Sequence, residues 1–302
     1  MAPPDSEALR HDEVLLEAFG LRVRLVPSQG GRITSLVAHG REWLWRNPAL
    51  QPPLPVVAPG GYVEAHDDGG WDEIFPNLAP VEQADGTYWP DHGELWSRSW
   101  KAEQRGSQVC VTRVTSQLLP VRMSRTLSLE DPARLRVDYV LEHLGEMPLS
   151  FMWAAHPLFA VGPGDRWVSS RPLAWWPEQE GADLPPCIHA GILPARQAGL
   201  AAKAFAAMPP DGRLELHSAG HLLVLHTDPA QVPHLGLWLN AGGWAGVPDA
   251  TPYFNLALEP CIGPSDRFSE AIRLAPGPTT LEPGESRRWW LSLEFPLSEA
   301  CL

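Results

Sequence analysis

Asp91-His92-Gly93-Glu94, Trp153-Ala154-Ala155-His156-Pro157 and Leu258-Glu259-Pro260-Cys261 each set an ionisable side chain in an otherwise apolar, strand-like or turn context. Two imidazoles and a carboxylate gathered into one cleft would supply a general acid and a general base near neutral pH. If Asp91–Glu94 is extended, His92 and Glu94 project from one face; the blander reading is a turn that leaves His92 exposed. His156 closes an apolar run and precedes Pro157, which cannot donate to a ladder, so the strand is expected to end there with the imidazole at its rim. A lone histidine in such a place is more often structural. Glu259 closes another apolar run before Pro260, and a buried carboxylate there is expensive unless paired, the bland alternative being an ion pair with an arginine. His-x-Glu at 92–94 could open a metal site, but no second His or Cys pair completes a ligand set, so no metal is expected.

The elements that must position these residues are strands. Alternation at period two marks Val14–Phe19, Leu21–Val26, Ile33–Ala38, Glu42–Trp45, Gln108–Thr115, Val121–Leu129, Arg134–Leu144, Pro148–Ala154, Arg213–His217, Leu222–His226, Leu235–Asn240, Tyr253–Leu258, Glu270–Leu274 and Arg287–Phe295. The best helix candidate is the Ala-rich Leu200–Met208, stopped by Pro209-Pro210. Many short strands with dense turn signals imply an all-β fold, a large antiparallel β-sandwich, with residues 1–302 as one domain behind a loose tail over 1–12. Pro48–Asp91 and Pro163–Pro194 read as long loops, and their tryptophans (Trp71, Trp89, Trp175, Trp176) favour a functional role.

Composition narrows the classes. A net charge of −13 argues against a nucleic-acid footprint. No basic run leads into an apolar stretch and no window approaches a membrane span, so neither a signal peptide nor a membrane partner is expected. The scattered Cys110, Cys187, Cys261 and Cys301 suit free thiols in a cytoplasmic protein. Proline at 33 of 302 is about twice the usual frequency of roughly 5%. Tryptophan at 14 is also high, and its flat apolar face suits either a core or a sugar surface. The other histidines (His11, His39, His143, His189, His217, His221, His226, His234) lack ligand spacing and read as surface or structural.

Taken in order, Gly30-Gly31-Arg32-Ile33, Gly70-Trp71-Asp72-Glu73-Ile74-Phe75-Pro76-Asn77, Asp91-His92-Gly93-Glu94, His156-Pro157-Leu158-Phe159 and Leu258-Glu259-Pro260 with Pro264-Ser265-Asp266 resemble the aldose 1-epimerase (galactose mutarotase) family over roughly residues 20–295. The resemblance implies a galactose mutarotase-like supersandwich with a shallow sugar cleft on one sheet. It implies Glu259 as general base, His156 as general acid and His92 as a partner that helps place the ring oxygen, with no cofactor. An unperturbed His pKa of about 6.5 leaves a protonated fraction at neutral pH, while a Glu near 4.3 is ionised; a neighbouring carboxylate would raise the His value further. Better-studied members hold sugar hydroxyls with an arginine upstream of the first histidine. Here His66–Glu73 contains none, so Asp72 and Trp71, with Glu94 and Trp96, are the expected sugar contacts.

The leading expectation is an isomerase that interconverts the anomers of a free sugar, acting as a monomer or weak homodimer. The rivals are a carbohydrate-binding or sensor protein on the same fold, and a glycoside-cleaving enzyme using paired carboxylates such as Asp72 and Glu94 or Glu259.

Overall fold

The computed structural model describes residues 12–48, 61–62, 69–246, 251–275, 277 and 279–297. Two antiparallel sheets dominate. The first runs in the order Val14–Ala18, Leu21–Val26, Arg32–Ala38, Trp71–Ile74, Ala154–Phe159, Phe254–Cys261, His234–Ala241, Leu200–Ala207, Trp176–Pro177, with Arg41–Glu42 paired to Arg32–Ala38. The second runs Arg166–Ser169, Arg213–Ser218, His221–Thr227, Ser286–Glu294, Arg134–His143, Val121–Glu130, Val109–Thr115, Lys101–Arg105. Val121–Glu130 and Arg134–His143 alternate strictly between buried and half-exposed residues, the pattern of strands with one face on a core. One apolar core draws Leu16, Val23 and Leu258 from the first sheet and Leu127, Val137 and Leu291 from the second, as a sandwich requires. No helix among the described residues is long and apolar enough to cross a membrane.

Several expected elements differ. Leu200–Ala207 is a strand, paired along its length with His234–Ala241, so ladder bonds and burial override the helical preference of its alanines. Phe268–Leu274 is a helix where Glu270–Leu274 is expected as a strand; only Ala271 within it is buried, a spacing that alternation cannot detect. The supposed loop over 48–91 contains the strands Trp71–Ile74, Val81–Glu82 and Tyr88–Trp89. That over 163–194 contains Arg166–Ser169, Trp176–Pro177 and the short helix Pro186–Ala190. Their tryptophans are mainly structural, since Trp71, Trp89 and Trp175 are all buried. Apart from Asp12, the expected tail lies outside the described residues, as do His11 and Cys301.

Trp71–Ile74 is buried on both faces and carries two adjacent acids. Successive side chains on a strand point to opposite faces, so the acids part company. Glu73 enters the sandwich interior, where it accepts hydrogen bonds from Arg125 Nη1, the Tyr139 hydroxyl and Trp153 Nε1, each at 2.8 Å. Arg125 and Tyr139 belong to the second sheet, and Arg125 also donates to the Gly31 carbonyl. This network ties the two sheets together through the core. Removing one member of a buried ion pair leaves an uncompensated charge and costs about 3–5 kcal/mol. Arg125→Met is therefore expected to lower unfolding stability by about that amount in urea titration; a loss below about 1 kcal/mol would show the network to be dispensable.

Candidate active site

Register brings the chemistry together. Asp72 pairs with His156, and Glu259 pairs with Gly236, which in turn pairs with Phe205. Between Ala154–Phe159 and Phe254–Cys261 the pairs are Ala154 with Cys261, Leu158 with Ala257 and Phe159 with Leu256, so the same count sets His156 opposite Glu259. Pairing lapses there because Pro157 and Pro260 have no N–H to donate. The strand does not end at His156, as expected from Pro157; it runs on to Phe159, held on its other side by Trp71–Ile74. At the near end, Ile33 pairs with Trp71, so Arg32 neighbours Asp72. One cross-strand row therefore reads Arg32, Asp72, His156, Glu259, Gly236.

The row is a chain of partners. Arg32 donates from Nε and Nη2 to the two Asp72 carboxylate oxygens at 2.8 and 2.7 Å, a bidentate pair. The Tyr62 hydroxyl lies 3.1 Å from Asp72 Oδ2 and 3.0 Å from His156 Nδ1. His156 Nε2 faces Glu259 Oε1 at 3.8 Å. Lys203, on the strand beyond Gly236, donates to Glu259 Oε2 at 2.8 Å and lies 3.7 Å from Asp266 Oδ1. Gly236 leaves the space for this crossing: a Cβ there would sit 3.2 Å from Glu259 Oε2.

His92 arrives from a loop rather than an extended segment. Its φ is 58° and that of Gly93 is 66°, and any side chain at Gly93 would collide with the Phe75 carbonyl at 1.9 Å. The turn sends His92 and Glu94 in different directions. His92 stacks on Tyr62, with centroids 4.0 Å apart at 12°, and its ring is 5.4 Å from that of His156. Its Nδ1 makes an ion-pair contact of 3.0 Å with Asp91.

These groups edge a cleft of about 350 Å³. Tyr62, Asp91, His92, His156, Lys203 and Asp266 supply its polar side, and Leu158, Trp238, Trp244 and Tyr253 an apolar wall, with Glu178 at the margin. Trp244 meets Trp238 and Tyr253 edge-on. Exposed aromatic faces beside convergent polar groups suit a ligand with both C–H and hydroxyl surfaces. Glu259 does not line the cleft; it lies beneath it, fully buried, with Oε1 lacking a hydrogen-bond partner among the described residues.

The four expected sugar contacts do not line the cleft either. Trp71 is fully buried in the core. Glu94 accepts from the Ser116 hydroxyl and from the backbone N–H groups of Gln117 and Leu118 at 2.7 and 2.9 Å, so it fastens a turn of the other sheet. Trp96 is buried beneath Tyr62, edge-on at 5.2 Å. Asp72 is occupied by Arg32 and Tyr62. The glycoside-cleaving pairing of Asp72 with Glu94 thus joins two carboxyls already committed to separate networks. An arginine does stand near the site, but Arg32 comes from the first hairpin and is buried behind Asp72. Sequence reasoning missed Tyr62, Lys203 and the Trp238–Trp244–Tyr253 wall, and gave Asp266 no role. Lys203 had a signal: it is the single charge in Leu-Ala-Ala-Lys-Ala-Phe-Ala-Ala. Among the described residues no group of three or more His, Cys, Asp or Glu side chains is gathered to hold a metal ion.

The two imidazoles sit in opposite environments. Burial, reinforced by the positive charges of His92, Lys203 and Arg32, holds His156 well below the usual histidine range. Burial also works against charge on His92, but the Asp91 carboxylate outweighs it and raises that pKa. Lys203 is likewise raised: burial opposes its charge, and Asp266 and Glu259 overcome the opposition. The lowered His156 pKa runs against its expected role as the protonated acid, because burial and the neighbouring cations both disfavour charge on this ring. The two shifts run in opposite directions, so on acidification His92 takes its proton before His156 does. In an NMR titration of the ring protons, His92 is expected to lose its charge above pH 6.5 and His156 to gain one only below it; the reverse order would overturn this electrostatic assignment.

No family model matches the chain, and no curated protein matches it by sequence. Solved structures do match. A protein from Synechocystis is 19% identical with a TM-score of 0.73, the match covering 99% of this chain and 100% of that one. A candidate aldose 1-epimerase from Escherichia coli is 18% identical with a TM-score of 0.69, over 94% and 98% of the two chains. A galactose mutarotase-like protein from Lactobacillus casei is 15% identical with a TM-score of 0.67, over 94% and 100%. At these identities the likeness speaks to architecture: the chain has the galactose mutarotase-like β-sandwich fold.

Proposed function

We propose that the protein is an aldose 1-epimerase-like enzyme that interconverts the α and β anomers of a free sugar by acid–base ring opening. The observation that supports it best is the pairing of Glu259 Oε1 with His156 Nε2 at 3.8 Å, beside a second imidazole, His92, whose ring lies 5.4 Å from that of His156 and whose pKa Asp91 raises. In this reading the anomeric hydroxyl gives its proton to the Glu259–His156 pair while His92 donates to the ring oxygen. The bond between the anomeric carbon and the ring oxygen breaks and the free aldehyde forms. Rotation about the neighbouring carbon–carbon bond presents the other carbonyl face, and closure with both proton transfers reversed gives the other anomer. Lys203 holds Glu259 beneath the reacting atoms, and the Trp238–Trp244–Tyr253 wall packs against the sugar's C–H face.

Charge bears on the substrate. Asp91, Glu178 and Asp266 face the cleft against Lys203 and His92, and Lys203 is already shared between two carboxylates. A phosphate or uronate would meet this excess of negative charge, so the reading favours a neutral or cationic aldose. One observation supports the non-catalytic alternative, a sugar-binding or sensor protein: the 2.8 Å bond from Lys203 occupies one oxygen of the carboxylate that would act as base.

Anomer equilibration of freshly dissolved sugars, followed by NMR exchange, separates these readings. Wild type is expected to accelerate it, and Glu259→Gln, His156→Ala and His92→Gln each to slow it by about 10²–10⁴-fold. kcat/KM should be bell-shaped in pH, rising through the low pKa of His156 and falling through the raised pKa of His92. Sugar binding with no acceleration would assign a binding protein instead, and release of reducing ends from an oligosaccharide would assign glycoside cleavage.

A further inference from the structure

We propose that Tyr62 is a positioning residue: it locks His156 in the tautomer that carries its proton on Nδ1, so that Nε2 and Glu259 Oε1 together form a two-acceptor slot for one hydroxyl group of the ligand.

Donor accounting carries the assignment. Asp72 receives two charged N–H groups from Arg32, and an ionised carboxylate can only accept. The Tyr62 hydroxyl touches both Asp72 Oδ2 and His156 Nδ1 but has one proton to give. Given to Asp72, it leaves the phenolic oxygen free to accept from Nδ1–H, and every group is satisfied. Given to Nδ1, it sets the Tyr62 oxygen and Asp72 Oδ2 3.1 Å apart with no proton between them, an arrangement that a buried site penalises. The first solution prevails. A neutral imidazole has one N–H, so Nε2 then presents a bare lone pair to Glu259 Oε1 across 3.8 Å.

That second gap is the functional one. Glu259 Oε2 is bonded to Lys203, whereas Oε1 has no hydrogen-bond partner among the described residues. Among the described residues no donor stands between these two acceptors, so the slot takes a hydroxyl or a proton of the ligand. The other charged groups that act on His156 among the described residues do not supply one. Lys203 is directed at Glu259 and Asp266, His92 is held by Asp91, and Arg32 lies behind Asp72. Tyr62 acts through its hydroxyl here, while its ring separately spaces the two imidazoles, stacked on His92 and edge-on to His156 at 5.9 Å. Tyr62→Phe keeps the ring and removes only the hydroxyl.

The catalytic consequence rests on the epimerase reading; the tautomer does not. In protein carrying ¹⁵N-histidine, at a pH where His156 is neutral, its Nδ1 is expected to resonate as a protonated nitrogen and Nε2 as an unprotonated one. In Tyr62→Phe the Nδ1–H loses its acceptor, and the population shifts toward the Nε2–H form directed at Glu259. The same variant is expected to lower kcat by about tenfold or more with a smaller change in KM, and to move the acid limb of the pH profile downward, because the protonated ring loses an acceptor that the neutral ring replaces by changing tautomer. A wild-type His156 protonated on Nε2, or a tautomer indifferent to Tyr62→Phe, overturns the proposal. The wild-type spectrum decides the first point even if the variant fails to fold. A chain with no epimerase activity but the Nδ1–H tautomer would refute the functional reading and leave this inference standing.

Discussion

Charge balance along a single cross-strand row governs this protein's candidate site. Arg32, Asp72, His156 and Glu259 lie side by side on four neighbouring strands, and Lys203, two residues along from Phe205 opposite Gly236, reaches Glu259 diagonally. All five side chains are buried or nearly so. Buried charges persist only when paired, and here the signs alternate: a cation at each end, a carboxylate inside each cation, and an imidazole between the carboxylates. Each carboxylate is satisfied from its outer side. The imidazole is therefore left neutral between two committed anions, with its environment set by the cations beyond them.

The same geometry explains how one sheet face can be reactive while the other is inert. Asp72 and Glu73 are consecutive, and the two-residue period of the strand turns one toward the cleft and the other into the interior. Glu73 meets Arg125, Tyr139 and Trp153 and has its capacity filled by three donors. Asp72 meets Arg32 and Tyr62, and through Tyr62 it reaches His156. One pair braces the sandwich and the other orients a ring at its surface. Pro157 and Pro260 contribute by silence: with no N–H to give, they open the ladder where His156 and Glu259 face each other.

Much of the fold was legible because half-buried antiparallel strands write their faces into the sequence. Val121–Glu130 and Arg134–His143 follow the expected alternation almost residue for residue. Trp71–Ile74 escaped notice because it is covered on both sides and carries two acids, so it shows neither alternation nor an apolar run. Leu200–Ala207 misled for a different reason: alanine favours helix in isolation, and only the partner strand decides otherwise. At the site, His92, His156 and Glu259 were legible as ionisable residues in apolar settings. Glu94 was read as a neighbour of His92 on the same face, but the left-handed turn at His92 and Gly93 separates them. Tyr62 carried no motif that would set it apart, and Lys203 had only its lone charge in an alanine-rich strand.

The sequence by itself determined the residue types, the strand periodicity and the three ionisable positions, because these depend on side chains and their nearest neighbours along the chain. Only the tertiary structure decided which of the two histidines holds a proton. That depends on burial of both rings and on charges brought from Arg32 and Lys203, on separate segments, while Asp91 acts on His92 from the adjacent position. Coulombic forces and desolvation act through space, and no local pattern encodes their sum.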